Sequence, residues 1–252
     1  MADALLRIEN VSKRFGGLLA VDRASLMAAP GRITALIGPN GAGKTTLFSI
    51  VSGFLPPTEG RIIYDGTNIT GLPTHHLARR GIARTFQIVQ PFVGLTVHAN
   101  IAVGSYLKHR VRADALDEAA DVARIVGLGG MLDRPADNLT VSGRKRLELA
   151  RALAIEPRLL LLDEVLAGLN PSEIRDVVPV IRAIRDSGIT IVMIEHVMQA
   201  VMSLADHVYV LAEGRIIAEG SAQDIVSNPR VVEAYLGHGA AGRLAAGGGA
   251  GG

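Results

Sequence analysis

Ile33-Thr34-Ala35-Leu36-Ile37-Gly38-Pro39-Asn40-Gly41-Ala42-Gly43-Lys44-Thr45-Thr46-Leu47-Phe48-Ser49-Ile50-Val51 is the stretch that decides the fold. Ile33 to Ile37 reads as a buried strand, and Thr46 to Val51 reads as a helix. Between them, Gly38 and Gly43 stand five apart and are followed by Lys44 and the hydroxyl of Thr45. A polyphosphate needs this layout. Glycines without Cβ let backbone N–H groups curl around the anion, and the positive end of the next helix faces it. Lys44 can then bridge the outer phosphates, and the Thr45 hydroxyl can hold Mg²⁺, with Thr46 beside it. A glycine-rich turn that merely precedes a lysine is the bland alternative. The strand before it and the helix after it weigh against that alternative.

Bulk properties frame the motif. A chain of 252 residues suits one large α/β domain or a domain with a helical insert. A net charge of +2 makes no electrostatic case for a nucleic-acid partner. The absence of cysteine excludes disulfides and thiolate metal sites and suits a reducing compartment. Met1-Ala2-Asp3 lacks a basic leader, and no stretch approaches the ~18 uninterrupted apolar residues of a membrane span. The expectation is a soluble cytoplasmic protein whose membrane role, if any, runs through a partner.

Strand-like and helix-like segments alternate along the chain, which predicts a largely parallel sheet covered by helices. Leu5 to Ala28 reads as two β segments separated by Phe15-Gly16-Gly17, and Arg61 to Tyr64 as a short strand. From Thr96 to about Leu132 the pattern is helical, clearest from Asp114 to Val126, and reads as a subdomain inserted into the α/β core. Core segments return at Leu159 to Leu162, Thr190 to Ile194 and His207 to Leu211. The tail from His238 to Gly252 is almost all Gly and Ala and is expected to be disordered.

A second constellation is Leu159-Leu160-Leu161-Leu162-Asp163-Glu164. Four apolar residues make a buried strand with two carboxylates at its C-terminal end, where open α/β sheets bind ligands. Asp163 would support Mg²⁺, and Glu164 would polarise the attacking water. A strand ending in solvated acids is common by itself; its pairing with the phosphate loop makes the reading strong.

The order of the remaining pieces points to a family. Arg84-Thr85-Phe86-Gln87 reads as a strand ending in Gln. Ala167-Gly168-Leu169-Asn170-Pro171 follows the acids, and Ile191-Val192-Met193-Ile194-Glu195-His196 reads as a strand ending in His. Over residues 5 to 237 this series resembles the nucleotide-binding subunits of ABC transporters. The resemblance implies an ABC-type P-loop NTPase fold of class α/β, with antiparallel N-terminal β segments. It implies an ATPase domain over 1–237, with the helical subdomain inserted at about 88–155, ahead of the 238–252 tail. It also implies ATP and Mg²⁺ as cofactors. Gly38, Pro39, Asn40, Gly41, Ala42, Gly43, Lys44, Thr45 and Thr46 would cradle the phosphates, and Phe15 would stack on adenine. Thr45, Gln87 and Asp163 would serve Mg²⁺. Glu164, His196 and Gln87 would be catalytic, with His196 on the γ-phosphate and Gln87 in a loop that also touches the membrane partner. Asn170 would lie where the chain crosses between subunits, a position usually held by Asp. Taken singly, each of these has a bland reading; their joint order is what lifts them.

The signature segment departs most from the family pattern Leu-Ser-Gly-Gly-Gln or Leu-Ser-Tyr-Gly-Gln. Counting back from the helix Arg144-Lys145-Arg146-Leu147-Glu148, it is Leu139-Thr140-Val141-Ser142-Gly143. Thr140 keeps a hydroxyl, Ser142 stands where Gly is usual, and Gly143 replaces Gln. In the family this segment, including Thr140, Ser142 and Gly143, caps the γ-phosphate held by a second subunit. The Ser142 Cβ is expected to make that closure less ready. Val165 replaces the Pro that usually follows the catalytic Glu.

Within the family, His75 to Gln87, Ala167 to Pro171, Ile194 to Met198 and Glu219 to Gly237 most resemble the branched-chain amino-acid uptake ATPases. That resemblance implies a second ATPase subunit, two transmembrane permeases and, indirectly, a periplasmic binding protein. The cargo would be branched-chain amino acids or related small solutes such as urea and amides, and the chain would sit peripherally on the inner face of the membrane. A lipopolysaccharide-export ATPase and a non-transport ATP-binding regulator are the rival readings. A GTPase would need an Asn-Lys-x-Asp stretch, and none occurs. Neighbouring His75 and His76 have no carboxylate or Cys at ligand spacing and read as a solvated helical face.

Overall fold

Gly16-Gly17 closes a hairpin between Leu6–Phe15 (β1) and Leu18–Ala28 (β2) in the computed structural model, which describes residues 4–86 and 90–236. β1 also pairs antiparallel with Glu59–Tyr64 (β4), which turns at Asp65-Gly66 into Thr67–Asn68 (β5). The result is an antiparallel sheet of order β2-β1-β4-β5. Leu6, Ile8 and Val11 on β1 and Val21, Ala24, Leu26 and Ala28 on β2 form its buried face.

The second sheet contains Ile33–Ile37 (β3), Ile82–Arg84 (β6), Leu159–Asp163 (β7), Thr190–Ile194 (β8), His207–Ala212 (β9) and Arg215–Gly220 (β10). Its order is β10-β9-β3-β8-β7-β6, parallel throughout except for antiparallel β10. β3, β7 and β8 are buried at every position, which is why they read as continuous apolar runs rather than alternating ones. Period two divides their side chains between two cores. Ile33, Ala35, Ile37, Leu160, Leu162 and Met193 face one core; Leu36, Leu159, Leu161, Val192 and Ile194 face the other.

Lys44–Val51 (α1) and Thr74–Arg79 (α2) fill the space between the two sheets, through Leu47, Phe48 and Leu77. The opposite face is covered by Val97–Ser105 (α3), Arg112–Ile125 (α4), Val141–Leu153 (α5), Pro171–Asp186 (α6) and Met198–Leu204 (α7). Short 3-10 turns at Gly129–Met131 and Ala136–Asn138 lead from α4 into α5. Ala222–Ser227 (α8) and Pro229–Leu236 (α9) follow the sheet. α6 shows how local sequence sets these boundaries. The Asn170 side chain accepts from the Ser172 and Glu173 N–H groups, Glu173 returns to the Asn170 N–H, and Pro171 stands in the first turn. Such a cap contributes about 1 kcal/mol. Val177, Ile181 and Ile184 then bury one helical stripe.

Two strands stop earlier than their sequence suggests. β6 ends at Arg84, because Thr85 turns its hydroxyl toward the Asp163 N–H (3.0 Å). Gln87 lies outside the described residues. β8 ends at Ile194 rather than His196, because β3, its partner, pairs only as far as Leu36 before the chain turns at Gly38. The phosphate-loop helix opens at Lys44, two residues ahead of Thr46. His75 and His76 are exposed on α2 with ring centroids 4.4 Å apart. Among the described residues no helix is long and apolar enough to cross a membrane.

Candidate nucleotide site

The loop between β3 and α1 is held at two points that exclude any side chain. Gly38 has φ +151, and a Cβ there would lie 1.9 Å from the Leu211 carbonyl oxygen of β9. Gly43, the residue before α1, has φ +102, and its Cβ would lie 2.4 Å from the Ala20 carbonyl oxygen of β2. Both backbones must therefore be glycine. The Gly214 N–H donates to the Ala42 carbonyl at 3.0 Å, and the Gly38 N–H lies near the Tyr235 hydroxyl of α9, where it opposes the rise that burial gives the phenol. Asn40, Gly41 and Thr45 are exposed, Pro39, Gly43 and Thr46 half-buried, and Ala42 buried.

Lys44 is 7 % exposed, and its Nζ donates to the carbonyls of Gly38 (2.7 Å) and Pro39 (2.9 Å). Burial pushes its pKa down, against the pull of the Glu164 and Asp163 carboxylates. A cation spanned across its own loop in this way is pre-positioned for an anion that replaces those carbonyls.

Asp163 ends β7 at 2 % exposure. Its Oδ2 accepts from Arg84 at 2.7 Å. Glu164 has φ +49, a left-handed backbone that few non-glycine residues adopt. The conformation is held from both sides. Its N–H donates to the Ile194 carbonyl (3.0 Å), and its carbonyl accepts from Lys145 Nζ (3.2 Å). Such strain is common where a side chain must be aimed. Glu195 is 1 % exposed and accepts from the N–H group of Leu166 at 2.9 Å. Burial pushes its carboxyl up to about 7. His196 itself is exposed just beyond β8.

Thr45 and Asp163 line one recess of about 440 Å³ with Arg84, Phe86, Glu148 and Arg151. A hydroxyl and a carboxylate are hard oxygen donors of the kind Mg²⁺ takes, so these residues fit that ion.

Other sequence-derived positions lie elsewhere. Thr140 is the N-cap of α5, its Oγ1 accepting the Gly143 N–H at 3.1 Å, so its own O–H stays available as a donor. Ser142 and Gly143 are half-buried in the first turn of α5. With Thr140 they border a recess of about 180 Å³ that includes none of Lys44, Thr45, Asp163 or Glu164. Ser142 is not among the positive-φ residues, so the serine there costs no backbone strain, only bulk. Phe15 is 45 % exposed at the end of β1, with Lys13 Nζ 5.3 Å from its ring centroid. Asn170 caps α6.

Three residues at the site escaped the sequence reading of function: Arg84, Glu195 and Tyr235. The signal for the first two was a charge ending an otherwise apolar strand. Tyr235 gave none, because its contact with Gly38 spans most of the chain.

A glycine loop pinned in this way, a helix opening on it and two carboxylates at a neighbouring strand end define a P-loop nucleotide-binding protein. Comparison with known proteins narrows the class. Residues 21–167 match the family model described as ABC transporter, and residues 215–241 match that of the branched-chain amino acid ATP-binding cassette transporter. The high-affinity branched-chain amino acid transport ATP-binding protein LivG of Escherichia coli strain K12 is 40% identical over 253 residues, covering 94% of this chain and 99% of that protein. A crystal structure of a nucleotide-free ATP-binding cassette from an ABC transporter superposes with a TM-score of 0.86 at 33% identity, covering 94% of this chain and 100% of the other. The ADP conformation of an ATP-binding cassette gives 0.85 at 33% identity with the same coverage. The chain belongs to the ABC transporter family, as an ATP-hydrolysing subunit of the branched-chain amino acid type.

Proposed function

We propose that this chain powers an importer of branched-chain amino acids, paired with a second ATPase subunit and two membrane permeases and served by a periplasmic binding protein. The near full-length identity to a branched-chain amino acid transport subunit carries the reading, and the match of residues 215–241 to the branch model supports it.

The residues divide the work on ATP as follows. The N–H groups from Gly38 to Thr46 and the positive end of α1 cradle the phosphates, and Lys44 leaves its loop carbonyls for the outer ones. Thr45, Asp163 and Gln87 would hold Mg²⁺, which supplies charge neutralisation on the phosphate oxygens when bound. Glu164, aimed by its left-handed backbone, orients the attacking water and takes up its proton. His196 reaches the γ-phosphate from the end of β8, and Phe15 offers a face to the adenine. The facing subunit contributes the Thr140 hydroxyl with the N–H groups at Ser142 and Gly143 at the start of α5. Loss of the γ-phosphate removes those contacts, so the two subunits separate. Phe54, Leu77, Phe86, Val103 and Ile155, with the charged Arg84, Glu148 and Arg151 beside them, line a groove of about 260 Å³ that suits a permease segment.

The test is uptake of radiolabelled leucine in cells lacking this gene, complemented by wild type or by Glu164→Gln. Wild type is expected to restore uptake and the variant to fail. Equal uptake with and without the gene would refute the cargo. ATP hydrolysis by the purified chain tests the enzyme separately.

A further inference from the structure

A buried arginine stands against Asp163, the carboxylate that would face the metal. Arg84 is 8 % exposed in its side chain and places Nη2 2.7 Å from Asp163 Oδ2. Its Nη1 donates to Ser52 Oγ (2.9 Å) and Ser49 Oγ (3.2 Å), both on the helical turns after the phosphate loop. Ser49 Oγ donates in turn to the Thr45 carbonyl at 2.7 Å. The guanidinium carbon lies 5.9, 5.6 and 5.5 Å from the ring centroids of Phe48, Phe54 and Phe86. One side chain thus ties the strand-end carboxylate, the phosphate-loop helix and an aromatic seat together.

A buried ion pair is a costly way to gain stability, since both ions give up their hydration. Its charge balance suggests another use. The recess shared by Thr45 and Asp163 is lined by two cations, Arg84 and Arg151, and two carboxylates, Glu148 and Asp163. Lys44 stands within electrostatic reach of Asp163 and Glu164. Arg84 is the cation in direct contact with Asp163, and without its charge that carboxylate would face the recess uncompensated by a contacting partner.

We propose that Arg84 is the positioning residue of the metal-facing carboxylate. It fixes the Asp163 side chain and cancels its charge, so that a divalent cation is retained only when nucleotide phosphates bring their own negative charge. This inference rests on the reading of Asp163 as a metal-site group. It assigns Arg84 no contact with ATP and explains why an arginine, with two donors for the serines and one for the carboxylate, ends β6.

The experiment is a Mn²⁺ titration followed by electron paramagnetic resonance, with and without a non-hydrolysable ATP analogue. In the nucleotide-free state, Arg84→Gln is expected to bind Mn²⁺ alone about tenfold or more tighter than wild type, since a full charge a few ångströms from the ion has been removed. Arg84→Lys keeps the charge and is expected to stay close to wild type. Equal Mn²⁺ affinity in Arg84→Gln and wild type overturns the proposal. Should Arg84→Gln fail to fold, wild type decides instead: Mn²⁺ bound without nucleotide as tightly as with the analogue overturns the proposal, and Mn²⁺ retained only with the analogue supports it. Asp163→Asn separates the two levels. If it binds Mn²⁺ with the analogue as wild type does, the assignment of Asp163 itself fails. If it loses that binding while Arg84→Gln is unchanged, only the role of Arg84 fails.

Discussion

Replacing Glu195 by Gln should remove a specific pH dependence from the stability of this protein. The carboxyl is 1 % exposed, and its Oε1 accepts the Leu166 N–H at 2.9 Å. Its Oε2 is buried and finds no hydrogen-bond partner among the described residues. Burial is the main cause that moves its pKa from 4.5 to about 7, with the nearby Glu164 charge adding to it. The Leu166 and His196 N–H groups and Lys145 oppose the shift without cancelling it. Between those two pH values the folded chain holds a proton that the unfolded chain has released. The stabilisation is therefore complete below about pH 4.5 and is lost as pH rises through about 7. An interval of about 2.5 pH units at ~1.36 kcal/mol each amounts to about 3 kcal/mol. A glutamine side chain there would have the same shape, would keep the Oε1 acceptor and would carry no charge to desolvate. Glu195→Gln is expected to match wild type near pH 4.5 and to exceed it by about 2–3 kcal/mol at pH 8, or roughly 5–10 °C in Tm. Denaturant midpoints of both proteins across pH 4.5–8 measure the difference, in which every other titrating group cancels. Parallel curves would refute the reasoning, because they would mean that the Glu195 carboxylate is solvated when charged.

Three further outcomes follow from the same geometry. Glu164→Gln keeps the left-handed backbone but loses the base, so ATP turnover by the purified chain should fall by about 10²–10⁴ while ATP binding persists; a tenfold loss or less would move the base elsewhere. Gly43→Ala places a Cβ 2.4 Å from the Ala20 carbonyl at φ +102 and should cost at least about 1–3 kcal/mol in denaturant unfolding, with loss of ATP binding; an undisturbed variant would show that the loop is not pinned to β2. Ser142→Gly, which removes bulk from the rim of the Thr140 recess without relieving backbone strain, should raise ATP-dependent dimerisation of the Glu164→Gln protein, seen by size-exclusion chromatography. Unchanged dimerisation would remove the serine as an obstacle to closure.

What could be read from the sequence and what could not divides along the range of the interactions. β3, β7 and β8 were legible because strands buried on both faces are mostly apolar, and four apolar residues in each, with only Thr34, Asp163 or Thr190 beside them, have few other readings. The phosphate loop was legible because glycine is forced there by backbone clashes at Gly38 and Gly43, and the glycine itself records the constraint. The start of α6 was equally open: Asn170-Pro171-Ser172-Glu173 spells a capping box, although the family resemblance drew attention to a contact between subunits instead. Arg84 was different. At the end of a three-residue strand, a charge reads as a solvated terminus, and its true partner Asp163 is 79 residues further along the chain. Glu195 was hidden in the same way, since nothing local shows that the carboxyl after Ile194 turns inward to the Leu166 N–H. Donor atoms for phosphate and metal are local to their motifs. The charges that balance those donors come from distant strands and are fixed by the order of the sheet. β6 lies beside β7, and so Arg84 meets Asp163; β8 lies on the other side of β7, and so Glu195 meets the segment after Glu164. The electrostatic balance of the site is thus a property of strand order, which no single motif encodes.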